Sequence, residues 1–214
     1  MESLQALASP LAVLLAYLIG SLSFAVLVSR WMGLSDPRTY GSRNPGATNV
    51  LRSGSKAAAA ATLLLDAAKG WVPVFLVRTL GPTLGLGDST LAWVGLAAFV
   101  GHLAPVFFRF RGGKGVATAL GVLLGFQPIL GLLVALTWVL VAWGTRYSSL
   151  AALVAALAAP VWYVLGDGLV WYLDRSVLVA IGLMTVLLMY RHAENIGRLA
   201  RGTESRIGGR KPRA

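Results

Sequence analysis

The chain alternates between long apolar runs and short polar segments. A helix needs roughly 20 apolar residues to cross the ~30 Å hydrocarbon core of a bilayer. The runs predict seven membrane-spanning helices, over residues 10–28, 57–77, 91–108, 116–126, 129–144, 151–165 and 169–190. The predicted fold is therefore an all-α integral membrane protein, with residues 1–207 as one seven-helix domain. Residues 208–214 are predicted to form a basic, disordered tail.

Two of these spans come from one uncharged run, Val116–Gly144, which is long for one span and short for two. Gln127 and Pro128 lie near its middle, and a proline starts or breaks a helix. Division into two spans puts the basic loop residues on a single side of the membrane, namely Arg30, Arg38, Arg43, Arg52, Lys56, Arg109, Arg111, Lys114 and Arg146. Because basic loops face the cytoplasm, we expect the N-terminus outside and the C-terminus in the cytoplasm.

The composition agrees with a membrane protein. Hydrophobic residues make up 57% of the 214 residues and charged residues only 13%, whereas soluble domains average about 25% charged residues. The basic residues that give the net charge of +11 cluster between apolar runs. They therefore indicate the membrane topology and contact with anionic lipid or phosphate, rather than a nucleic-acid partner. The absence of cysteine excludes disulfides and thiolate catalysis, and two histidines do not predict a metal site.

Three polar segments carry the candidate chemistry: Gly41–Arg52, Arg109–Thr118 and His192–Glu204. The second contains Gly112–Gly115, the glycine loop, just before a predicted helix. Glycines allow backbone N–H groups to approach a ligand closely, and a helix N-terminus favours an anion. With the charge of Lys114, this pattern predicts a phosphate cradle. The alternative is a flexible interfacial turn with a lysine reaching toward water.

The first segment is denser in polar groups. Its donors and acceptors are Ser42, Asn44, Thr48 and Asn49. Arg43 and Arg52 add guanidinium forks that suit phosphate oxygens. A solvated loop touching lipid headgroups is the alternative, but this many amide and hydroxyl groups favours a binding site.

The third segment begins with His192, and Asn195 follows three residues later on the same helix face. Histidine suits acid–base work near neutral pH; a histidine that caps a helix end is the alternative. Glu204 lies among arginines, which predicts a structural ion pair. Arg146, followed by Ser148 and Ser149, ends the fifth span and is a further candidate phosphate contact.

Asp66 and Lys69 are charged residues inside the second predicted span. Their spacing of three places them on one helix face, so they can pair. Charges within a bilayer are costly and usually face the interior of the bundle. Two interpretations remain open: a buried structural pair, or a lysine that lines the substrate site. His102 on the third span is expected to be a hydrogen-bonded packing residue.

Taken in order, five segments resemble the acyl-phosphate-dependent glycerol-3-phosphate acyltransferases of bacteria, the PlsY family. They are GSRNPGATNVLR, DAAKG, GHLAPVFFRFRGGKGVAT, RYSSL and HAENIGRLARGTE. The resemblance implies a seven-span enzyme of the bacterial cytoplasmic (inner) membrane with its active site facing the cytoplasm. It further implies transfer of a fatty acyl group from acyl phosphate to the sn-1 hydroxyl of glycerol 3-phosphate. The products would be lysophosphatidic acid and inorganic phosphate, in the first acylation of phospholipid synthesis.

The resemblance also assigns roles to residues. It implies a catalytic set of Ser42, Arg52, His192 and Asn195. It implies a glycerol-3-phosphate loop at Gly112, Gly113 and Gly115, and a glutamate that maintains structure at Glu204. Together with the polar residues above, the expected substrate-binding set is Asn44, Thr48, Asn49, Lys69, Gly112, Gly113, Lys114, Gly115, Arg146 and Ser149. Asp66 and Glu204 are the expected structural residues.

The expected reaction needs no cofactor or metal, because an acyl phosphate is an already activated mixed anhydride. Direct attack is expected rather than an acyl-enzyme, with either His192 or a substrate phosphate as the base. The expected partners are the two substrates and the bilayer, with no obligate protein partner. A transporter predicts polar groups near the bilayer midplane, and a scaffold leaves the three segments unexplained, so both are disfavoured.

Overall fold

A computed structural model describes residues 2–208, so most of the predicted tail lies outside the described residues. Within this range the chain forms ten α-helices: α1 (Glu2–Gly20), α2 (Phe24–Trp31), α3 (Ala47–Val50), α4 (Lys56–Leu80), α5 (Asp88–Leu103), α6 (Val116–Phe126), α7 (Pro128–Thr145), α8 (Ser148–Leu165), α9 (Arg175–Arg191) and α10 (Ala193–Ala200). Short 3-10 turns cover Leu51–Ser53, Gly81–Leu84 and Val106–Phe108. The predicted all-helical class is confirmed.

Three of the predicted spans differ from the α-helices that the structure shows. The first span, 10–28, is broken into α1 and α2, which bend by 44°. In the third, 91–108, the α-helix ends at Leu103 because Ala104 precedes Pro105, and the residue before a proline is disfavoured in a helix; a 3-10 turn continues the candidate span to Phe108, the predicted end. The last, 169–190, begins only at Arg175, where the Asp174 side chain caps the helix by accepting a hydrogen bond from the Val177 N–H at 3.0 Å.

The predicted break inside the uncharged run is present. Gln127 is extended, with φ −151° and ψ 115°, and Pro128 occupies the first turn of α7. Proline is tolerated there because the first N–H groups of a helix have no intrahelical partner. As a result, α6 and α7 are separate helices that pack side by side.

Polar contacts mark two ends of the helical bundle. At one end, Ser9 contacts Thr90 at the start of α5. At the other end, the Ile207 N–H donates to the Arg146 carbonyl at 2.7 Å.

Within the described residues, four helices are long and apolar enough to cross a membrane, or six if each of two bent pairs counts as one span. At 11 residues, α6 is shorter than such a span. Large apolar side chains also cover the outer surface, Trp143 at 82% exposure among them, as expected of helices that face lipid. The protein is a multi-pass membrane protein, while seven spans and their orientation stay predictions.

Close helix crossings form the core. At Gly121 on α6, a Cβ atom would lie 1.9 Å from the Ala67 carbonyl oxygen of α4, and at Gly70 it would lie 2.3 Å from the Thr118 carbonyl oxygen. A similar contact joins α1 to α5 at Gly20, next to Ala98. Small residues allow membrane helices to pack backbone against backbone, and this packing fixes the helix ends that carry the polar loops.

Candidate active site

The three polar segments and the α7–α8 turn meet at one end of the bundle, the site end. The Lys114 ammonium of the glycine loop donates to Asn195 Oδ1 on α10. The Asn195 amide donates in turn to Glu204 Oε1 at 2.7 Å. One chain of hydrogen bonds therefore joins the second segment to both ends of the third.

Glu204 is the centre of this network. It accepts hydrogen bonds from Ser149 Oγ at 2.7 Å and from Arg198 Nε at 2.6 Å. The predicted ion pair is thus present, with Arg198 as its partner. Burial acts to raise the pKa of Glu204, but hydrogen bonds from Ser149, Arg198 and Asn195 outweigh it and hold this pKa below its usual value. Ser149 was expected to contact substrate, but it is buried and its hydroxyl donates to this carboxylate.

Asn49 holds the first segment in shape, which corrects its expected role in substrate binding. Its side chain is buried and accepts a hydrogen bond from the Ser42 N–H at 3.0 Å. Its amide donates to the carbonyls of Pro37 at 2.7 Å and Tyr40 at 3.2 Å. With these groups bonded inside the protein, the side chain is structural.

The loop that Asn49 holds presents Ser42 beside Arg52. Gly41 has φ +60°, and the Arg52 side chain lies against it, within 3.1 Å of where a Cβ would be. The Arg52 guanidinium also donates to Ser205 Oγ at 2.9 Å. Ser42 and Arg52 are exposed, as is Thr48, while Asn44 is half-buried. These side chains remain accessible to a ligand.

The glycine loop packs tightly against the end of α5. A Cβ at Gly112 would lie 2.1 Å from the His102 carbonyl oxygen, and one at Gly113 would lie 2.2 Å from His102 Nε2. Gly115 has φ +85° and touches the Phe99 ring. The glycines are therefore required for contact with protein, in addition to any close approach of a ligand. The N-terminus of α6 follows directly at Val116.

Lys69 does not reach the site surface, which corrects its expected role as a substrate contact. Its side chain is 1% exposed and pairs with Asp66 at 2.8 Å, as the spacing predicted. The ammonium also donates to the Leu22 carbonyl at 2.6 Å. His102 Nδ1 lies 3.7 Å from Asp66 Oδ1 and has no hydrogen-bond partner among residues 2–208. We assign Lys69 and Asp66 to a buried structural cluster beneath the glycine loop.

His192 lies between α9 and α10 and is buried. Its Nδ1 is 2.9 Å from the Leu188 carbonyl oxygen. A carbonyl can only accept, so Nδ1 carries the proton and Nε2 keeps a free lone pair. Burial lowers the pKa of His192 to about 4. The imidazole is therefore neutral at physiological pH and offers Nε2 as a hydrogen-bond acceptor.

A short strap, residues 203–207, closes the site end. The Arg146 guanidinium donates to the Ile207 carbonyl at 3.1 Å, and Arg206 Nε donates to Tyr147 Oη at 3.1 Å. Arg146 thus anchors the strap and remains exposed. Described non-glycine residues with positive φ, Arg43, Arg109, Phe110 and Arg146, all lie in loops of this end. Such strained backbone tends to cluster at functional sites.

Sequence reasoning missed three polar contacts of the site. Arg198 pairs with Glu204, and Ser205 accepts from Arg52. Arg191 donates to two carbonyls of the glycine loop. Arg191 comes directly before His192, so its position next to a candidate catalytic residue was an available signal. The contacts of Arg198 and Ser205 depend on how the strap folds back.

Comparison with known proteins matches this arrangement. The family model described as glycerol-3-phosphate acyltransferase covers residues 10–202. The chain is 65% identical to the glycerol-3-phosphate acyltransferase of Albidiferax ferrireducens, over 97% of this chain and 93% of the relative. It is 59% identical to the enzyme of Bordetella pertussis, over 96% and 94% of the two chains.

Solved structures are also similar. A crystal structure of PlsY, described as an integral membrane glycerol 3-phosphate acyltransferase in its glycerol 3-phosphate form, superposes with a TM-score of 0.86. The identity is 37%, over 94% of this chain and 96% of that one. Its lysophosphatidic acid form gives a TM-score of 0.84 at 36% identity, over 93% and 95% of the two chains.

These matches define the class of protein as an acyltransferase embedded in a membrane. Since the family model covers most of the chain and the relatives align over nearly their full length, the chain belongs to the glycerol-3-phosphate acyltransferase family.

Proposed function

We propose that this protein transfers a fatty acyl group from acyl phosphate to the sn-1 hydroxyl of glycerol 3-phosphate. The observation that carries the proposal is the convergence at one end of the bundle of Ser42, Arg52, Lys114, His192 and Asn195. The solved PlsY forms with glycerol 3-phosphate and lysophosphatidic acid support the acceptor and the product. The basic character of the site supports a donor that also carries phosphate.

The cations and polar groups of the site suit two phosphates. Arg52 and the N-terminus of α6 can bind phosphate oxygens by guanidinium and backbone N–H donors. The Lys114 ammonium donates a hydrogen bond to Asn195, which holds it at the centre of the site. Burial lowers the pKa of this lysine. Ser42, Asn44 and Thr48 add hydroxyl and amide donors from the first segment, and Arg146 adds a further cation.

In the proposed reaction, the sn-1 oxygen of glycerol 3-phosphate attacks the acyl carbon of the donor. The bond between that carbon and the phosphate oxygen then breaks, and inorganic phosphate leaves. Nearby cations stabilise the charge that develops on the acyl oxygen and the leaving phosphate. Positioning of both substrates supplies much of the remaining acceleration. No acyl-enzyme is formed, since the acyl group moves directly between substrates.

The proton of the attacking hydroxyl goes to the leaving phosphate in this proposal. With a pKa near 4, neutral His192 is a weak base, whereas phosphate groups have a second pKa of about 6. Catalytic bases work best when their pKa is near the operating pH. His192 instead accepts a hydrogen bond at Nε2 and orients the hydroxyl.

The site is proposed to face the cytoplasm from the bacterial inner membrane. The site end carries the basic loops, which normally remain on the cytoplasmic side. The opposite end is formed by short loops around Gly81–Leu84, Gln127 and Gly166–Gly168. The acyl tail would enter from the bilayer between helices, while both phosphates remain at the polar end.

The test uses purified protein with palmitoyl phosphate and glycerol 3-phosphate. We expect equal amounts of inorganic phosphate and lysophosphatidic acid, and no product when the acyl donor is acyl-CoA or acylated acyl carrier protein. Ser42→Ala should reduce turnover strongly, whereas Ser35→Ala, an exposed serine outside the site, should not. Turnover with acyl-CoA but not with acyl phosphate would overturn the proposed donor.

A further inference from the structure

The glycine loop cannot hold its own conformation. Three of its four residues are glycine, which has more backbone freedom to lose on ordering than any other residue. Fixing a residue costs roughly 1–2 kcal/mol in backbone entropy. A loop of this composition therefore needs external contacts to present a constant arrangement of donors to a phosphate.

Arg191 supplies such contacts from the end of α9. Its Nε donates to the Gly113 carbonyl at 3.1 Å, and a terminal nitrogen donates to the Gly112 carbonyl at 2.9 Å. The planar guanidinium fork can reach two consecutive carbonyls at once, which the single ammonium of lysine cannot do in the same geometry. The ion pairs found within residues 2–208 do not include Arg191.

These two bonds fix the direction of the peptide groups. In a trans peptide the C=O and N–H point in opposite directions. With the Gly112 carbonyl on Arg191, the Gly113 N–H points the other way, where it donates to the His102 carbonyl at 3.1 Å. The Gly113 carbonyl on Arg191 likewise turns the Lys114 N–H away from the guanidinium. The loop is gripped between α5 and α9.

The hydrogen bonds from Arg191 also set the distance between the glycine loop and the third segment. Arg191 is the immediate neighbour of His192, and Lys114 next to the gripped glycines donates to Asn195. We propose that Arg191 is a positioning residue, which holds the glycine loop in register with His192 and Asn195 and thereby sets the affinity for glycerol 3-phosphate. This inference rests on the function proposed above.

The test compares Arg191→Lys, which keeps the charge but loses the fork, with wild type in steady-state acyl transfer. We expect KM for glycerol 3-phosphate to rise about tenfold or more, the loss expected for hydrogen bonds from a charged donor. KM for palmitoyl phosphate should change little, and kcat by less than about threefold. Arg201→Gln, which removes an exposed charge from the end of α10, is the matched control and should behave as wild type.

A second variant guards against a folding defect. Arg191→Gln removes both the charge and the guanidinium fork, and guanidinium ion added to it should lower KM for glycerol 3-phosphate, while methylammonium should not. Wild-type KM in Arg191→Lys, or equal losses for both substrates in both variants, would overturn the inference. If wild type itself transfers no acyl group from acyl phosphate, the proposed function fails instead.

Discussion

His192 is expected to stay neutral over the whole range in which activity is measured. Burial lowers its pKa to about 4, so protonation would be complete only well below that pH. We predict that His192→Ala lowers kcat by roughly 10²–10³-fold, the range for loss of one preorganised hydrogen bond in an active site, without moving the acidic limb of the pH–rate profile. That limb should lie near pH 6, where phosphate titrates.

The measurement is kcat against pH from 5 to 9 for both proteins with palmitoyl phosphate. Loss of the acidic limb in His192→Ala would assign the titrating group to the histidine and contradict phosphate as the base. Histidine could then act as the base only if bound substrate raised its pKa.

Glu204 gives the site a second pH dependence, this time in stability. Its pKa in the folded protein lies below its usual value, so the folded state binds this proton less readily than the unfolded state. The stabilisation is present above the unfolded pKa, about 4.3, and is lost as pH falls through the folded pKa. We predict that the thermal midpoint of wild type in detergent falls on acidification below about pH 5, and falls less steeply in Glu204→Gln.

At neutral pH, Glu204→Gln should already be less stable, because Arg198 loses the closer and more buried of its two charged partners. Glu194→Gln is the matched control. Glu194 is exposed and forms the longer ion pair with the same arginine, at 3.7 Å, and exposed ion pairs contribute little to stability. Parallel pH profiles of the thermal midpoint in wild type and Glu204→Gln would contradict this assignment.

At the scale of elements, the glycines of α6 determine how closely it approaches α4. A Cβ at Gly121 would lie 1.9 Å from the Ala67 carbonyl oxygen, so Gly121→Ala must push the two helices apart. We predict a fall in the thermal midpoint and loss of acyl transfer, since α6 carries the glycine loop at its start. Overpacking of this kind typically costs about 1–3 kcal/mol.

Gly182→Ala on α9 is the matched control. Nothing lies within 4 Å of a Cβ built at Gly182, and alanine is the better helix residue by roughly 0.5–1 kcal/mol. We expect this variant to keep the wild-type thermal midpoint or raise it slightly. A Gly121→Ala protein as stable and active as Gly182→Ala would show that the α4–α6 contact is not limiting.

The sequence was sufficient to predict elements where a local rule decides. Pro128 near the middle of an uncharged run predicted the α6–α7 break, and three-residue spacing predicted the Asp66–Lys69 pair. It was insufficient where tertiary contacts decide. Asn49 lies in a polar segment typical of a binding loop, yet its side-chain amide donates hydrogen bonds to the carbonyls of Pro37 and Tyr40. Only the folded loop brings these carbonyls near.

Helix length shows the same limit. A run of apolar residues predicts a crossing by its length, but α6 has 11 residues and is only about 16 Å long. It still connects the site end to the end where Arg78 donates to the Phe126 carbonyl at 2.8 Å. The packing of α6 against α4 and α5, rather than its hydropathy alone, sets its path.

At the scale of the whole molecule, polarity is divided between the two ends of the bundle. The site end holds the three polar segments, and the opposite end exposes apolar side chains such as Leu169, at 83% exposure. If the basic end faces the cytoplasm, the Gly166–Gly168 turn faces outward. The chain has no cysteine, so single cysteines introduced at either end can be labelled without background.

We predict that Leu169→Cys reacts with a membrane-impermeant maleimide in intact cells, whereas Thr203→Cys, exposed at the site end, reacts only after the inner membrane is permeabilised. Both variants should retain acyl transfer, because neither side chain contacts the catalytic set. Labelling of Thr203→Cys in intact cells would place the site on the outer face. Labelling of both variants from one side would mean that α9, which lies between the two positions, does not cross the membrane, and would contradict the predicted topology.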